Sequence, residues 1–478
     1  MIICFEFNFA SSQKTLGFFL GFWAKKSGLK YAITYDNSII NLYVKGDEAG
    51  LSKFNDEFIT MVPHSIFLQN SNVKIADEMP SHIDASFDFK FNNITPLSLK
   101  SGQNEFGFGK NEEFMKSAIS DLKAGKSVVF DGFEISKFDG FECDYLLPTN
   151  LKTLPKLFVC DEKTLIALAS FEKPVLTLKT NAIFRGNHEN APMYFDVRSA
   201  WDIDIYEICK ALFEDGISFL QVRAKVDFKI SVLENSFLSI VNNKFISKED
   251  FDFINSKNDK NLALFGLNLK EFDLLSKTVT RIFLSHKSSD FIKVYKDENE
   301  YELLKINTPK SYEEIYEKIQ SYEGGDRLLQ NYKAAYELPS GEINLPNNFH
   351  SLFLIAGNIL GFGEKIFDFA RDFGGQKGVR IDYKMSSKNE FDEIKFFRSL
   401  MSFKLAGAEP KNISFGCFES LAFFISDFGD IIKDEFECHD MLLSGMLFEN
   451  KTIANLVLKY SNSNYKTRFS EQYGLEIS

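Results

Sequence analysis

Two tryptophans, six histidines and six cysteines among 478 residues leave little material for several kinds of site. The cysteines, Cys4, Cys143, Cys160, Cys209, Cys417 and Cys438, form no CxxC pair. That excludes a zinc finger or ribbon, whose metal needs closely spaced thiolates. Scattered thiols read instead as buried free cysteines in a reducing, cytoplasmic compartment. No two of His64, His82, His188, His286, His350 and His439 lie within four residues of each other, so each reads as a surface or core histidine rather than a ligand. Positive charge is also short. Lysine plus arginine number 55 against 67 acidic residues, a net charge of −12 that argues against nonspecific nucleic-acid binding. Long apolar runs are missing. The stretch from Leu352 to Phe362 is broken by Gly357 and Asn358 and falls short of the roughly 20 residues a bilayer needs. The opening MIICFEFNF has no basic flank, so neither export nor membrane insertion is expected. GxxxxGKS/T, HExxH, GxSxG and EF-hand patterns are absent, as are fixed-period repeats and low-complexity tracts.

What is present suits a large folded chain of two to four domains, with 44% hydrophobic residues to build a core. The 52 phenylalanines, with lysine commoner than arginine, read as the codon bias of an A/T-rich genome. A β-branched and aromatic run from Ile2 to Phe9 predicts a strand. Ser11 or Ser12 can cap a helix that places Leu16, Phe19, Leu20 and Trp23 on one face, stopped by Gly28. Strands over Tyr31 to Tyr35 and Ile39 to Lys45 follow, around a turn at Asp36, Asn37 and Ser38. A helix from Asp47 to Phe58 buries Leu51, Phe54 and Phe58, and a strand over Ser65 to Leu68 completes βαββαβ, two helices on one face of an antiparallel sheet. The polar stretch from Asp77 to Leu99 reads as a linker. Beyond it, a helix over Glu112 to Lys123 and strands at Ser127 to Phe130, Leu157 to Val159, Val175 to Leu178 and Ile217 to Val222 point to a mixed α/β region, with a helix near Ile203 to Phe213. Charged residues Ser247 to Lys260 separate this from a third region. There, strands are expected at Leu262 to Phe265 and Met441 to Leu443, helices at Tyr312 to Tyr322 and Phe418 to Ile432, and a surface loop at Ser386 to Glu390. Gly324, Gly325 and Asp326 read as a turn, and the pair Glu313 and Glu314 as the wet face of a helix.

The segments LGFFLGFWAKKSGLK, NLYVKGDEAGLSKF and VPHSIF resemble an acylphosphatase domain of the kind that opens HypF-type carbamoyltransferases, which prepare the cyanide ligands of NiFe hydrogenases. AISDLKAGKSVVFDGF and LASFEKPVLTLK resemble that family's YrdC-like domain. LALFGLNLKEFDLL, IFLSHKSSD, FGGQKGVRIDY and LLSGMLFENKTI follow the order of the GxELKN, LSxHIGD, EGQAA and SGGxFxN segments of its Kae1-like domain. The resemblance implies an α/β and α+β multidomain chain: an acylphosphatase-like sandwich over 1–75, a YrdC-like α/β domain over 76–245 preceded by the linker, and a shortened Kae1-like domain of the actin-related ASKHA type over 246–478.

Laid on this pattern, the residues that carry the family's chemistry are replaced. The position of the acylphosphatase arginine falls on Gly17 and that of its asparagine on Tyr35. The glycine-rich phosphate loop becomes Ala10-Ser11-Ser12-Gln13-Lys14, where Lys14 supplies a point charge without a bidentate fork. Asn37 sits at the wrong offset for the lost asparagine. FDFKFNNITPLSL reads as the remnant of a segment flanking zinc fingers, its cysteines gone. Asp131 stands where the YrdC-like pattern KGLGGFHL has a cation, so it would repel a triphosphate unless Mg²⁺ intervenes. The Kae1-like HHAH cluster is absent, and Met446 replaces the second glycine of SGGxFxN, leaving Ser444, Gly445 and Asn450 as a nucleotide-binding remnant. No catalytic residue, metal or cofactor is therefore assigned. The expectation is a catalytically degenerate HypF-like accessory protein, a pseudoenzyme whose partner is a hydrogenase subunit or a hydrogenase maturation protein. The alternative is an active carbamoyltransferase using ATP and Mg²⁺ through a rearranged site.

Overall fold

The computed structural model describes residues 1–83, 94–101, 110–188, 191–387, 389–462 and 465–477. Packing divides the chain into two compact units, one of residues 1–232 and 241–255, the other of residues 233–240 and 256–478. The mixed α/β and α+β, multidomain class holds.

The first unit opens with strand Ile2–Phe9, helix Thr15–Ser27, strands Lys30–Asp36 and Ile39–Lys45, helix Glu48–Lys53 and strand Leu68–Ala76. The four strands form an antiparallel sheet in the order second, third, first, fourth, which is the split arrangement the sequence predicts. Three details differ. Helix Thr15–Ser27 starts at Lys14, in the left-handed region at φ 54°, with no side-chain cap; Ser11 and Ser12 are used elsewhere. The second helix gives way to a wider π-helical turn at Phe54–Phe58. The last strand runs Leu68–Ala76 rather than Ser65 to Leu68. Seven of its nine residues are exposed, so backbone pairing to Ile2–Phe9, and not apolar patterning, makes it a strand.

A second, mixed sheet in this unit orders strands Phe228–Val232, Val175–Thr180, Tyr194–Val197, Tyr145–Pro148, Phe219–Arg223, Phe133–Lys137 and Val128–Phe130. Helices Glu112–Lys123 and Ile203–Glu214 cover it, packing Ala118, Leu122, Ile205, Ile208 and Leu212 into its core. Of the expected linker, residues 84–93 lie outside the described residues and Pro96–Ser101 is helical. Most of FDFKFNNITPLSL lies outside them too.

The two sheets of this unit are joined by aromatic packing. Phe19 meets Phe171 edge-on at 5.0 Å, and Phe67 contacts Phe228 and Phe245 at 5.8 and 6.1 Å. Such pairs contribute about 0.5–1.5 kcal/mol each beyond the burial of their rings.

The second unit is built on a sheet ordered Met385–Ser387, Glu390–Phe391, Asn299–Lys305, Phe291–Lys296, Val279–Phe283, Asp440–Ser444 and Lys466–Phe469. The 27-residue helix Pro410–Phe436 and helix Lys451–Ser461 pack beside it. Two sequence expectations fail here. Leu262 to Phe265 is not a strand but lies in helix Lys260–Glu271, capped by Asp259, whose side chain accepts from the Leu262 N–H. A short apolar run reads either way, and the cap decides it. Ser386 to Glu390 is not a plain loop, because Met385–Ser387 and Glu390–Phe391 pair as a short hairpin.

Candidate functional site

The loop matched to a phosphate cradle is committed to the protein itself. Ser11, fully buried, donates to the carbonyl of Phe245 at 2.7 Å. Ser12 Oγ accepts from the Ser247 N–H at 2.9 Å, and Gln13 Nε2 donates to the Lys244 carbonyl at 3.3 Å. The Lys14 ammonium donates to the carbonyl of Asn37, and desolvation lowers its pKa. One helical turn on, the Gly17 position is closed by Tyr35: an ideal Cβ there would lie 2.4 Å from the tyrosine oxygen. No arginine fits at Gly17 while that ring is in place.

Asp131 and Gly132, with φ of 47° and 83°, form the two-residue turn joining Val128–Phe130 to Phe133–Lys137. Two consecutive left-handed residues make a tight hairpin turn. Nearby stands Arg198, which no sequence pattern flags and which is fully buried. Its Nε donates to the Lys173 carbonyl at 2.9 Å, its Nη1 lies 3.1 Å from Asp227, and its guanidinium lies 4.9 Å from the Trp201 ring.

The remnant Ser444, Gly445 and Asn450 sits where the parallel strands Val279–Phe283 and Asp440–Ser444 end. Gly445 is required: at φ 101°, a Cβ would lie 2.1 Å from the Leu284 carbonyl oxygen. The turn's N–H groups are all used. Gly445 donates to Leu475 O at 2.8 Å, Met446 to the Glu476 carboxylate at 3.1 Å, Leu447 to Leu284 O at 3.0 Å and Phe448 to Gly445 O at 3.2 Å. Ser444 Oγ points back to Ile282 O at 3.5 Å, and Asn450 Oδ1 caps helix Lys451–Ser461 through Thr452 N–H at 3.0 Å. The Glu476 carboxylate also accepts from Ser285 Oγ at 2.8 Å. A nucleotide phosphate needs free N–H donors and no neighbouring anion. These residues, as arranged, do not fit one.

Beside this turn, Asp290 is a buried carboxyl whose two oxygens accept from Ser285 N–H at 2.6 Å and Phe349 N–H at 2.7 Å. Burial raises its pKa well above the usual carboxylate value. The fold also brings together two histidines that the sequence separates by 64 positions. The His286 and His350 rings lie 4.2 Å apart, and His350 stacks on Phe367 at 5.1 Å. Burial, and secondarily His286, lowers the His350 pKa to about 4. Among the described residues no group of three histidine, cysteine or acidic side chains is placed to hold a metal. Glu476 and Arg198 carried no sequence signal, because neither belongs to a motif; His286 was visible only as part of IFLSHKSSD.

No family model matches the chain. Protein HydE of Wolinella succinogenes is 23% identical over 375 residues, 69% of this chain and 66% of HydE. The chain thus spans just under two thirds of that relative. Among solved structures, T. kodakarensis HypF superposes with a TM-score of 0.58 at 10% identity, covering 99% of this chain and 96% of that one. Full-length HypF in its phosphate- and nucleotide-bound form gives a TM-score of 0.53 at 11% identity, covering 98% and 96%. No helix among the described residues is long and apolar enough to cross a membrane. With 98–99% of the chain covered in both superpositions, it has the HypF-type fold.

Proposed function

We propose that this chain is a catalytically degenerate HypF-like protein that serves NiFe-hydrogenase maturation or assembly in the cytoplasm by binding a hydrogenase subunit or a maturation protein. One observation carries the reading. At the positions where the family resemblance puts the phosphate-gripping groups, the chain has its own groups: Tyr35 over Gly17, the backbone of residues 244–247 on the side chains of Ser11, Ser12 and Gln13, and the Glu476 carboxylate on the Met446 N–H. A shape kept while its anion donors are turned inward suits recognition better than phosphoryl chemistry, since transition-state charge needs preorganised free donors. Deleting the gene from its host is expected to depress NiFe-hydrogenase activity, and affinity capture of the chain to retain a hydrogenase or maturation protein. A deletion strain with normal hydrogenase activity overturns the proposal.

A further inference from the structure

In the second unit a groove of about 660 Å³ runs between strand Asn299–Lys305 and the residues Tyr383, Lys384, Met385, Ser387 and Asn389, over helix Pro410–Phe436. Its apolar lining includes Tyr301, Phe424, Phe428, Ile431 and Phe436. Tyr301 and Ile431 are exposed, at 42% and 45% of their surface. Glu300, Glu302, Asp427 and Glu435 supply four carboxylates to the lining, against the single ammonium of Lys384 among the described residues. Only Glu300 has an ion-pair partner among the described residues, Lys293 at 2.5 Å. The strand that forms one wall is also an open edge. Asn299–Lys305 pairs along its length with Phe291–Lys296, but on the other side, among the described residues, only at Lys305, with Glu390. Asn389 Nδ2 donates to the carbonyl of Glu302, and no described residue pairs with the backbone from Asn299 to Tyr301 on that side.

We infer that this groove receives an extended, lysine- and arginine-rich segment of a partner protein, with apolar residues at alternate positions. An extended chain laid along the edge turns alternate side chains to the same face. Those facing inward cover the aromatic and aliphatic lining, and the cationic ones meet Glu302, Asp427 and Glu435. Such pairs set specificity and association rate, and salt weakens them. The inference deepens the accessory-protein reading by naming the surface and the charge of the partner. Its failure is separate: a deletion phenotype tests the role in hydrogenase assembly, and peptide binding tests this groove.

The test selects 12-residue peptides from a random display library against the full chain, then measures a labelled winner by fluorescence anisotropy. Enrichment of lysine and arginine alternating with apolar residues is expected. So is affinity about tenfold weaker on Ile431→Asp, and likewise on the double variant Glu302→Lys with Asp427→Lys. These exposed substitutions leave the melting temperature unchanged, which separates lost binding from lost folding. A peptide with its lysines changed to glutamates is expected to bind the charge-reversed variant better than the original chain. Enrichment of acidic or uncharged peptides overturns the inference, as does failure to enrich any peptide. Binding indifferent to both variants, or a dimer of this chain that Ile431→Asp dissolves, overturns it too.

Discussion

Tyr35 closes over Gly17, its hydroxyl oxygen 2.4 Å from where a Cβ on that glycine would be. By resemblance these two positions belong to the arginine and the asparagine of an acylphosphatase, so the two losses are coupled. The tyrosine fills the space an arginine stem needs, and the glycine makes room for the tyrosine.

That coupling is measurable. Gly17→Arg alone is expected to destabilise the chain by about 1–3 kcal/mol through overpacking. Adding Tyr35→Asn should recover part of it, giving a favourable interaction energy of about 0.5–3 kcal/mol in a double-mutant cycle read by urea denaturation. Strictly additive effects would mean that the ring does not constrain position 17.

Gly445 and Gly132 both have positive φ, but only Gly445 is crowded. Gly445→Ala is therefore expected to cost more than about 3 kcal/mol, from backbone strain plus a clash with the Leu284 carbonyl. Gly132→Ala, in open space, should cost only about 1 kcal/mol. Equal midpoint shifts in denaturant for the two variants would contradict this ranking.

Glu476 takes the Met446 N–H and the Ser285 hydroxyl. Glu476→Ala leaves both without that acceptor and is expected to lose about 1–3 kcal/mol, with Glu476→Gln intermediate. In the unmodified chain millimolar ATP with Mg²⁺ should leave the melting temperature unmoved, whereas a ligand at 100 times its Kd would add about 2.7 kcal/mol. A clear upward shift would restore the enzyme reading.

Two half-buried groups give the stability opposite pH limbs. His350 titrates near 4 when folded, below its ordinary 6.5, because burial disfavours the imidazolium. Its contribution is full above about pH 6.5 and declines as pH falls toward 4, where the unfolded chain takes the proton first. Burial pushes Glu271 up to about 8 from an ordinary 4.5, despite bonds from Ser470 and the Glu471 N–H. Its contribution is full below about pH 4.5 and is lost as pH rises toward 8. In denaturation curves across pH 4–9, His350→Asn should flatten the acid limb and Glu271→Gln the alkaline one. Limbs unchanged in both variants would rule these groups out as the source.

Where apolar periodicity was strong the elements were legible. Helix Glu112–Lys123 and the alternation of the first three strands follow directly from the spacing of their buried residues. Strand Leu68–Ala76 was not legible, because an edge strand with two wet faces has no alternation to detect. Leu262 to Phe265 was misread since four apolar residues cannot distinguish the two periods, and the deciding cap lies upstream at Asp259.

The replacements at Gly17, Tyr35, Asp131 and Met446 are visible residue by residue, because a motif is a local pattern and its loss is local too. What took the place of the lost groups is not local. Tyr35 over Gly17, Glu476 beneath Met446, Phe245 against Ser11 and His286 beside His350 join residues between 18 and 234 positions apart. Only chain folding sets such distances, so the residue types alone decide which chemistry is missing, and the packing decides which side chain occupies its place.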